Sequence, residues 1–538
     1  MAEAVHHAIA AGDTEQAGSW IKNCAMALVK KGDLQILLGW QRLFPMVRNP
    51  TELKLAIAWG MALAIRLEET LALLQQIESD LGDQPSRENA TITCECATIR
   101  SVAIALGDDS RDALSRAEDC LSRSNDPWTA NVASNVVRYG YLKAGDLAKF
   151  YATPWIAYSL DEDRRKLFAS VYRRCLQGLA EMQQLRLSAA EGATLSTQWH
   201  WLRSTWGRTR SPPHPLSLLA PIRYEQGRID EAEAMVFDRL PILSAAAMLD
   251  CVLGAYFVLV RLAGLRMNRS RAYTLLEQAE NLGLTRNWGR LVAASLLERV
   301  RLFCLEGRIS ETAASLDRLD HLVGKHPAPK SCAWSDIHRY SALAHAHVAL
   351  SQDCSQSAIS VLVNLRREAE EAHNYYFGLR VGTLLATAYL GAGARTDALA
   401  AFRKVLNAGV HAGLYQTILD QGPEIGGLLI NVREMTAGAR VSTDFVSYID
   451  RLIEGYRARY QPQEASPTPA TSESLSVREG EILNLIAQGR SNKEIARILT
   501  IAPETVKSHL KHIFTKLNVE RRAQAVSRAQ SLGLVGTS

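Results

Sequence analysis

Near the carboxyl end of this 538-residue chain, Lys507 and Lys511 stand four residues apart, with Thr505, Ser508 and His512 close beside them. Residues four apart on a helix share a face, so both ammonium groups would project to one side. An ammonium has donors and no acceptor, and a pair flanked by hydroxyls suits a partner rich in acceptors and negative charge. Guanine O6 and N7, displayed in the major groove of double-stranded DNA, are acceptors of that kind. Arg490, Lys493 and Arg497 lie where the phosphates of the same duplex would run. Contacts of that sort position a protein without reading sequence.

Side chains can read a groove only from a helix that is held rigidly, and the sequence supplies the means. Val506, Leu510, Ile513 and Leu517 follow one another at steps of four, three and four, a continuous apolar stripe opposite the lysines. His509 falls on the core side between Val506 and Ile513, a packing residue. Pro503 fits the first helical position, where its missing N–H costs nothing, and Thr500 to Ala502 makes the turn before it. Upstream, Ser491 and Glu494 have the spacing of a capping box, opening a short helix with Ile495, Ala496 and Leu499 inward. Ser476 and Glu479 form another at the start of a helix bearing Ile482, Leu483 and Ile486 and ending at Gly489. Residues 522–532 supply a fourth helix with Ala525, Val526 and Ala529 on its apolar side. Two short helices joined by a tight turn, the second basic on its outer face, have the form of a major-groove reader.

The charge balance agrees. From Leu475 to Val535 there are ten Lys or Arg and five Asp or Glu, while the rest of the chain holds 51 of each sign. The whole excess of +5 therefore sits in the last ninth of the sequence, a basic tip on a neutral body. Other chemistries find little support. Nine cysteines between Cys24 and Cys354 form no disulfide framework, and the one close pair, Cys94 and Cys96, lacks two further metal ligands nearby. They are expected to be thiols in a reducing cytoplasm. No Ser-His-Asp or metal-ligand spacing points to an enzyme, and no metal or cofactor is expected. The longest charge-free apolar stretches, Ala56–Ile65 and Cys251–Val260, are far shorter than the ~20 residues of a membrane span, and the first residues lack the regions of a signal peptide. The expected location is cytoplasmic, nucleoid-associated when bound to DNA, with no membrane partner.

The body repeats itself. Turns recur at Arg66, Gly107, Gly145, Gly227, Asn268, Gly307, Ser351 and Gly393, at intervals near forty apart from one double interval between Gly145 and Gly227. Two helices and two turns per forty residues are the signature of an α-solenoid, whose hairpins stack because none can cover its own apolar face alone. Gly suits such turns because the residue after a helix commonly takes a left-handed conformation. The expected fold is all-α: a short helical bundle over 1–50, where Gly12 and Gly32 lie only twenty residues apart, then a TPR-like superhelix with a concave groove over 51–460. A flexible linker over 461–474 with three prolines follows, and then a four-helix domain over 475–536.

The motifs Leu475-Ser-x-Arg-Glu, Gly489-x-Ser-Asn-Lys-Glu-Ile-Ala, Thr505-Val-Lys-x-His-Leu and Lys516-Leu-x-Val519 resemble the LuxR-type helix-turn-helix, nearly continuously for about sixty residues. The resemblance implies that Lys507, Ser508 and Lys511 read bases, and that Asn492, Lys493, Thr505 and His512 lie at or near the DNA backbone. It also implies a homodimer on inverted half-sites, with Gln524, Ser527, Arg528 and Ser531 of the fourth helix on the dimer surface. Three positions depart from the family: Ala502 where Ser is usual, Arg521 where a capping Asn, Asp or Ser is usual, and Gly480 in place of Arg. Each lost cap is worth ~1 kcal/mol, so the domain is expected to be somewhat less stable, with its docking face intact. The body resembles the repeats of the large MalT-like activators, the ATP-dependent LuxR subgroup. No Gly-x-x-x-x-Gly-Lys-Ser/Thr occurs in the sequence, so either the sequence is a fragment or it is a short form that does not switch through ATP. The partners implied are double-stranded DNA, RNA polymerase and an unknown small-molecule or protein effector.

One stretch stands outside these patterns. Trp199, Trp201 and Trp206, followed by basic residues and prolines, fall inside the double interval. They either line an effector pocket in the groove or pack in repeat cores beside a Pro-stiffened loop. Two function classes follow from the whole: a DNA-binding regulator, with activation the expected mode, or a helical-repeat scaffold with a vestigial DNA-binding tip.

Overall fold

The structure is a computed structural model that describes the chain except residues 1, 41–50, 82–85, 125, 158–166, 205–212, 327–331, 437–439, 462–476, 500–502, 517–518, 520–521 and 532–538. Trp206 and the expected linker past residue 461 lie outside the described residues, as do the side chains of Trp199 and Trp201. The fold is all-α: the described residues hold helices, one short 3-10 turn and no strand. They divide into two compact units, 1–456 and 457–538.

The first unit is a run of TPR-like helical hairpins, among them Arg87–Leu106 with Ser110–Arg123, Leu249–Leu265 with Arg269–Thr285, Gly289–Leu305 with Ile309–Lys325, and Tyr375–Gly391 with Arg395–Ala412. Short polar side chains open many of these helices. Asp109, Asp126, Asp146, Asn268 and Asn374 each accept the backbone N–H three residues on. The turns take left-handed backbone, with φ of +76° at Gly145, +78° at Gly227, +66° at Gly307 and +76° at Gly393. Gly145 is needed twice over, since a Cβ there would also lie 2.8 Å from the Cα of Ala372. The double interval resolves at Leu185, which turns with φ of +62° between Leu167–Gln183 and Leu187–Ser204. That repeat is present in the fold, its turn made by a leucine in the left-handed conformation that costs glycine nothing.

The amino-terminal helices join the same framework. Val5, Ile21, Val29 and Leu37 are buried in one apolar core with Leu53, Ile57 and Trp59, and Thr14–Lys31 packs on Thr51–Leu63. Residues 2–40 therefore cap the first repeat by covering its open apolar face.

The repeats wind tightly enough for successive turns of the superhelix to touch. The Trp288 indole N–H donates to the Leu106 carbonyl at 2.9 Å, the Ala333 N–H to Ser110 Oγ at 2.9 Å, and Arg451 to the Gln226 carbonyl at 2.8 Å. Partners in such pairs lie 182 to 225 residues apart. Where an open groove was expected, charged side chains bridge the interior. Arg290, 1% exposed, meets Asp108 at 2.6 Å, Asp250 at 3.2 Å and Asp336 at 3.2 Å. Lys143 reaches Asp250 at 2.5 Å. A second group joins Arg261 to Glu298 and Asp420, with the Tyr224 hydroxyl donating to Asp420 at 2.8 Å. Burial alone would push the Glu298 carboxyl up, but the charges of Arg261 and Arg301 override it and hold it down to about 2. Burial works against Asp250 and Asp336 as well, but Arg290 and Lys143 hold both below the ordinary carboxylate range, whereas at Asp108 burial outweighs Arg290 and the carboxyl is pushed up.

Candidate nucleic-acid interface

Among the described residues past 476 the second unit has the helices Val477–Ala487, Asn492–Ile498, Pro503–Lys516 and Arg522–Ser531. The first stops where left-handed Gly489, with φ of +78°, lets the Gly489 N–H return to the Ile486 carbonyl at 2.9 Å and the Arg490 N–H to that of Leu485 at 3.1 Å. That pair of bonds is a Schellman motif, which satisfies carbonyls the helix leaves open. The second helix begins two residues later with its capping box formed: Ser491 Oγ accepts the Glu494 N–H at 3.4 Å, and the Ser491 N–H donates to the Glu494 carboxylate at 2.8 Å. Ser476 and Leu517 lie outside the described residues.

These helices enclose a small core. Ile482, Leu483, Ile486, Ile495, Val506, Ile513, Ala525 and Ala529 are at most 2% exposed, with Leu510 and Ala496 nearly so. Phe514 and Val526 pack against them from the edge. Val506, Leu510 and Ile513 fix one side of the third helix inward, and the register then turns Thr505, Lys507, Ser508 and Lys511 out to solvent. Lys507 makes no hydrogen bond or ion pair among the described residues, and neither do Lys493 or Arg497, both exposed on the helix before. Arg490, also exposed, lies 4.0 Å from Glu494. Gln524 is exposed on the fourth helix. The side chains of His512, Ser527, Arg528 and Ser531 lie outside the described residues.

Asn492 takes a place that sequence reasoning missed. Arg522 Nη1 donates to Asn492 Oδ1 at 3.0 Å, and its Nη2 donates to the Arg490 carbonyl. The first residue of the fourth helix thus clamps the start of the second, and the Asn492 amide group keeps only its Nδ2 donor for an outside partner. A cation at a helix amino terminus opposes the helix dipole, and that mismatch was the available signal that Arg522 has a partner elsewhere.

The remaining chemistry is quiet. No group of three or more His, Cys, Asp or Glu among the described residues could hold a metal ion, and no helix there is long and apolar enough to cross a membrane. Burial pushes the Cys96 thiol up to about 12, far from the thiolate form that reacts.

Two short helices packed on one core, the second with a cationic outer face, define a helix-turn-helix DNA-binding module, here in one chain with TPR-like repeats. Residues 473–529 match the family described as bacterial regulatory proteins, luxR family, and residues 181–435 match the MalT-like TPR region. The chain is a transcription regulator with a LuxR-family DNA-binding domain at its carboxyl end and a MalT-like repeat body. Among solved structures it is similar to a Rap protein complexed with Competence and Sporulation Factor, at 12% identity and a TM-score of 0.47 over 68% of this chain and 99% of that one. It is also similar to the pentatricopeptide repeat protein PPR10 from maize, at 13% identity and a TM-score of 0.20 over 80% of this chain and 73% of that one. Neither likeness is close enough to bear on function.

Proposed function

We propose that this regulator docks the helix Pro503–Lys516 in the major groove of promoter DNA and activates transcription in response to an effector sensed by its repeats. Lys507, Ser508 and Lys511 meet base edges. Arg490, Lys493, Arg497, Thr505 and His512 meet phosphates, and Asn492 offers its Nδ2 to the backbone from the clamp with Arg522. The fourth helix pairs with that of a second copy through Gln524, Ser527, Arg528 and Ser531, so the operator is an inverted repeat, and RNA polymerase is the downstream partner. The functional division follows the sequence: an amino-terminal segment over 1–50, the sensing superhelix over 51–460, a tether over 461–474 and the DNA reader over 475–536. The observation behind the reading is the exposure of Lys507, Ser508 and Lys511 on a helix whose opposite side is locked into the domain core.

A mobility shift of promoter DNA across a salt series tests it. Each neutralised phosphate releases condensed counterions, so log affinity should fall against log salt with a slope of roughly −3 to −5 per bound domain, from about four or five phosphate contacts. Affinity indifferent to salt, or no shift at low salt, would overturn the reading and leave a scaffold with a vestigial tip.

A further inference from the structure

Inside the repeat unit lies a cavity of about 230 Å³. Its walls come from helices of several repeats, including Pro127–Ala144, Leu249–Leu265, Gly289–Leu305, Ser335–Ser351 and Tyr375–Gly391. Phe257, Tyr340, Tyr376 and Phe377 set aromatic rings into a wall that is otherwise mostly aliphatic and charged. Nearly every charge on the wall is matched. Lys143 is paired with Asp250, Arg290 with Asp250 and Asp336, and Glu298 with Arg261 and Arg301. The Tyr376 hydroxyl donates to Glu225 at 2.6 Å.

Arg380, half-buried, is held less closely: the Glu298 carboxylate is near enough to feel its charge, but no ion pair closes between them. Its guanidinium lies over the Phe257 ring, 5.2 Å from the centroid, and makes no ion pair or hydrogen bond among the described residues. The Tyr340 hydroxyl and the Gln183 amide on the same wall are likewise without hydrogen-bond partners there. A guanidinium cannot shed its proton, and Glu298, already paired with Arg261 and Arg301, leaves the Arg380 donors unfilled. The planar fork of donors fits a carboxylate with two parallel hydrogen bonds.

We propose that this cavity is a binding site for a small organic carboxylate with an aromatic or apolar body. The carboxylate sits on Arg380, with the Tyr340 hydroxyl as a further donor, and the body lies against Phe257, Tyr376 and Phe377. The inference rests on the reading of the repeats as a sensor. Because Asp250, Arg290 and Asp336 both line the cavity and belong to the bridge between superhelical turns, an occupant touches the elements that hold the winding closed.

Calorimetric titration of the full chain with cinnamate, a compact aromatic carboxylate, tests the site, with uncharged cinnamamide as the matched control. Cinnamate should bind once per chain, and cinnamamide at least roughly tenfold more weakly, the scale set by one charged hydrogen-bonding pair. Arg380→Met should weaken cinnamate by a similar factor with the unliganded melting temperature unchanged, and Arg380→Lys should restore part of the affinity. Equal affinity for acid and amide, equal affinity of wild type and Arg380→Met, or no cinnamate binding up to about 1 mM would each overturn the site. Binding through Arg380 that leaves promoter affinity unaltered would uphold the site and sink the sensing role instead.

Discussion

Replacing Lys507 and Lys511 together by Ala is expected to abolish the specific complex with promoter DNA and leave a weaker, sequence-indifferent one. A good base contact is worth about 1–3 kcal/mol of discrimination, so two lost contacts should lower specific affinity by roughly a hundredfold or more. The fold should not suffer. Both side chains are exposed, while Val506, Leu510 and Ile513 on the other side of the helix keep their core, and surface substitutions of this kind usually move stability by no more than about 0.5 kcal/mol. Competition mobility shifts with promoter and scrambled DNA, beside circular-dichroism melts, separate lost recognition from lost structure. Substituting Lys493 and Arg497 instead should weaken both DNAs alike and reduce the salt slope by about two. A promoter complex unchanged by the double lysine substitution would refute the assigned reading face.

The second large effect concerns the repeats. Arg290→Met should lower the unfolding free energy by about 3–5 kcal/mol, the usual result of removing one partner from a buried ion pair. The reason is the company Arg290 keeps. Asp108 is 1% exposed and takes three hydrogen bonds from the guanidinium, at 2.6 to 2.9 Å, while Asp250 and Asp336 lean on the same cation. Burial would disfavour the charge on Arg290, but the carboxylates of Asp108 and Asp250 override it and hold the proton firmly. With the cation gone, Asp108, whose carboxyl burial already pushes up, keeps only the Tyr139 hydroxyl at 3.0 Å among the described residues and must hold an uncompensated charge or take up a proton. Adding Asp108→Asn to Arg290→Met should therefore restore part of the loss, because the stranded charge is removed. Denaturant titrations of the single and double variants check this, and a double variant no better than the single would show that the bridge does not act as a charge pair. Since Asp108 and Arg290 are 182 residues apart, hydrogen exchange should also rise at the turn near Gly107 and at the helix Gly289–Leu305 together.

How much of this was legible in the sequence depends on the range of each interaction. The DNA-binding domain was written in local signals: the capping box at Ser491, the left-handed stop at Gly489 and the stripe from Val506 to Ile513 each span a few residues and fold as they read. The repeat period was plainest where glycine marked the turn; at Leu185 a leucine takes the same left-handed conformation, as Ile65, Met267 and Asp353 do at the fainter copies. The winding was hidden. Asp108 and Arg290 look like two ordinary surface charges until the superhelix carries one turn onto another, and long-range pairing leaves no mark on local periodicity. Arg380 was hidden for the same reason, since a helix facing an internal cavity is patterned like one facing another helix. The resemblance put Asn492 at or near the DNA backbone, and its hold on Arg522 emerged only from the packing of the second and fourth helices.

The central claim is that one helix enters the major groove and meets guanine edges there. Dimethyl sulfate methylates guanine N7, which faces the major groove, and adenine N3, which faces the minor groove. With saturating protein on promoter DNA, guanines within each half-site should be protected at N7, and the protection should disappear with Lys507→Ala and Lys511→Ala. Protection confined to adenine N3, or guanine protection that survives both substitutions, would contradict the account.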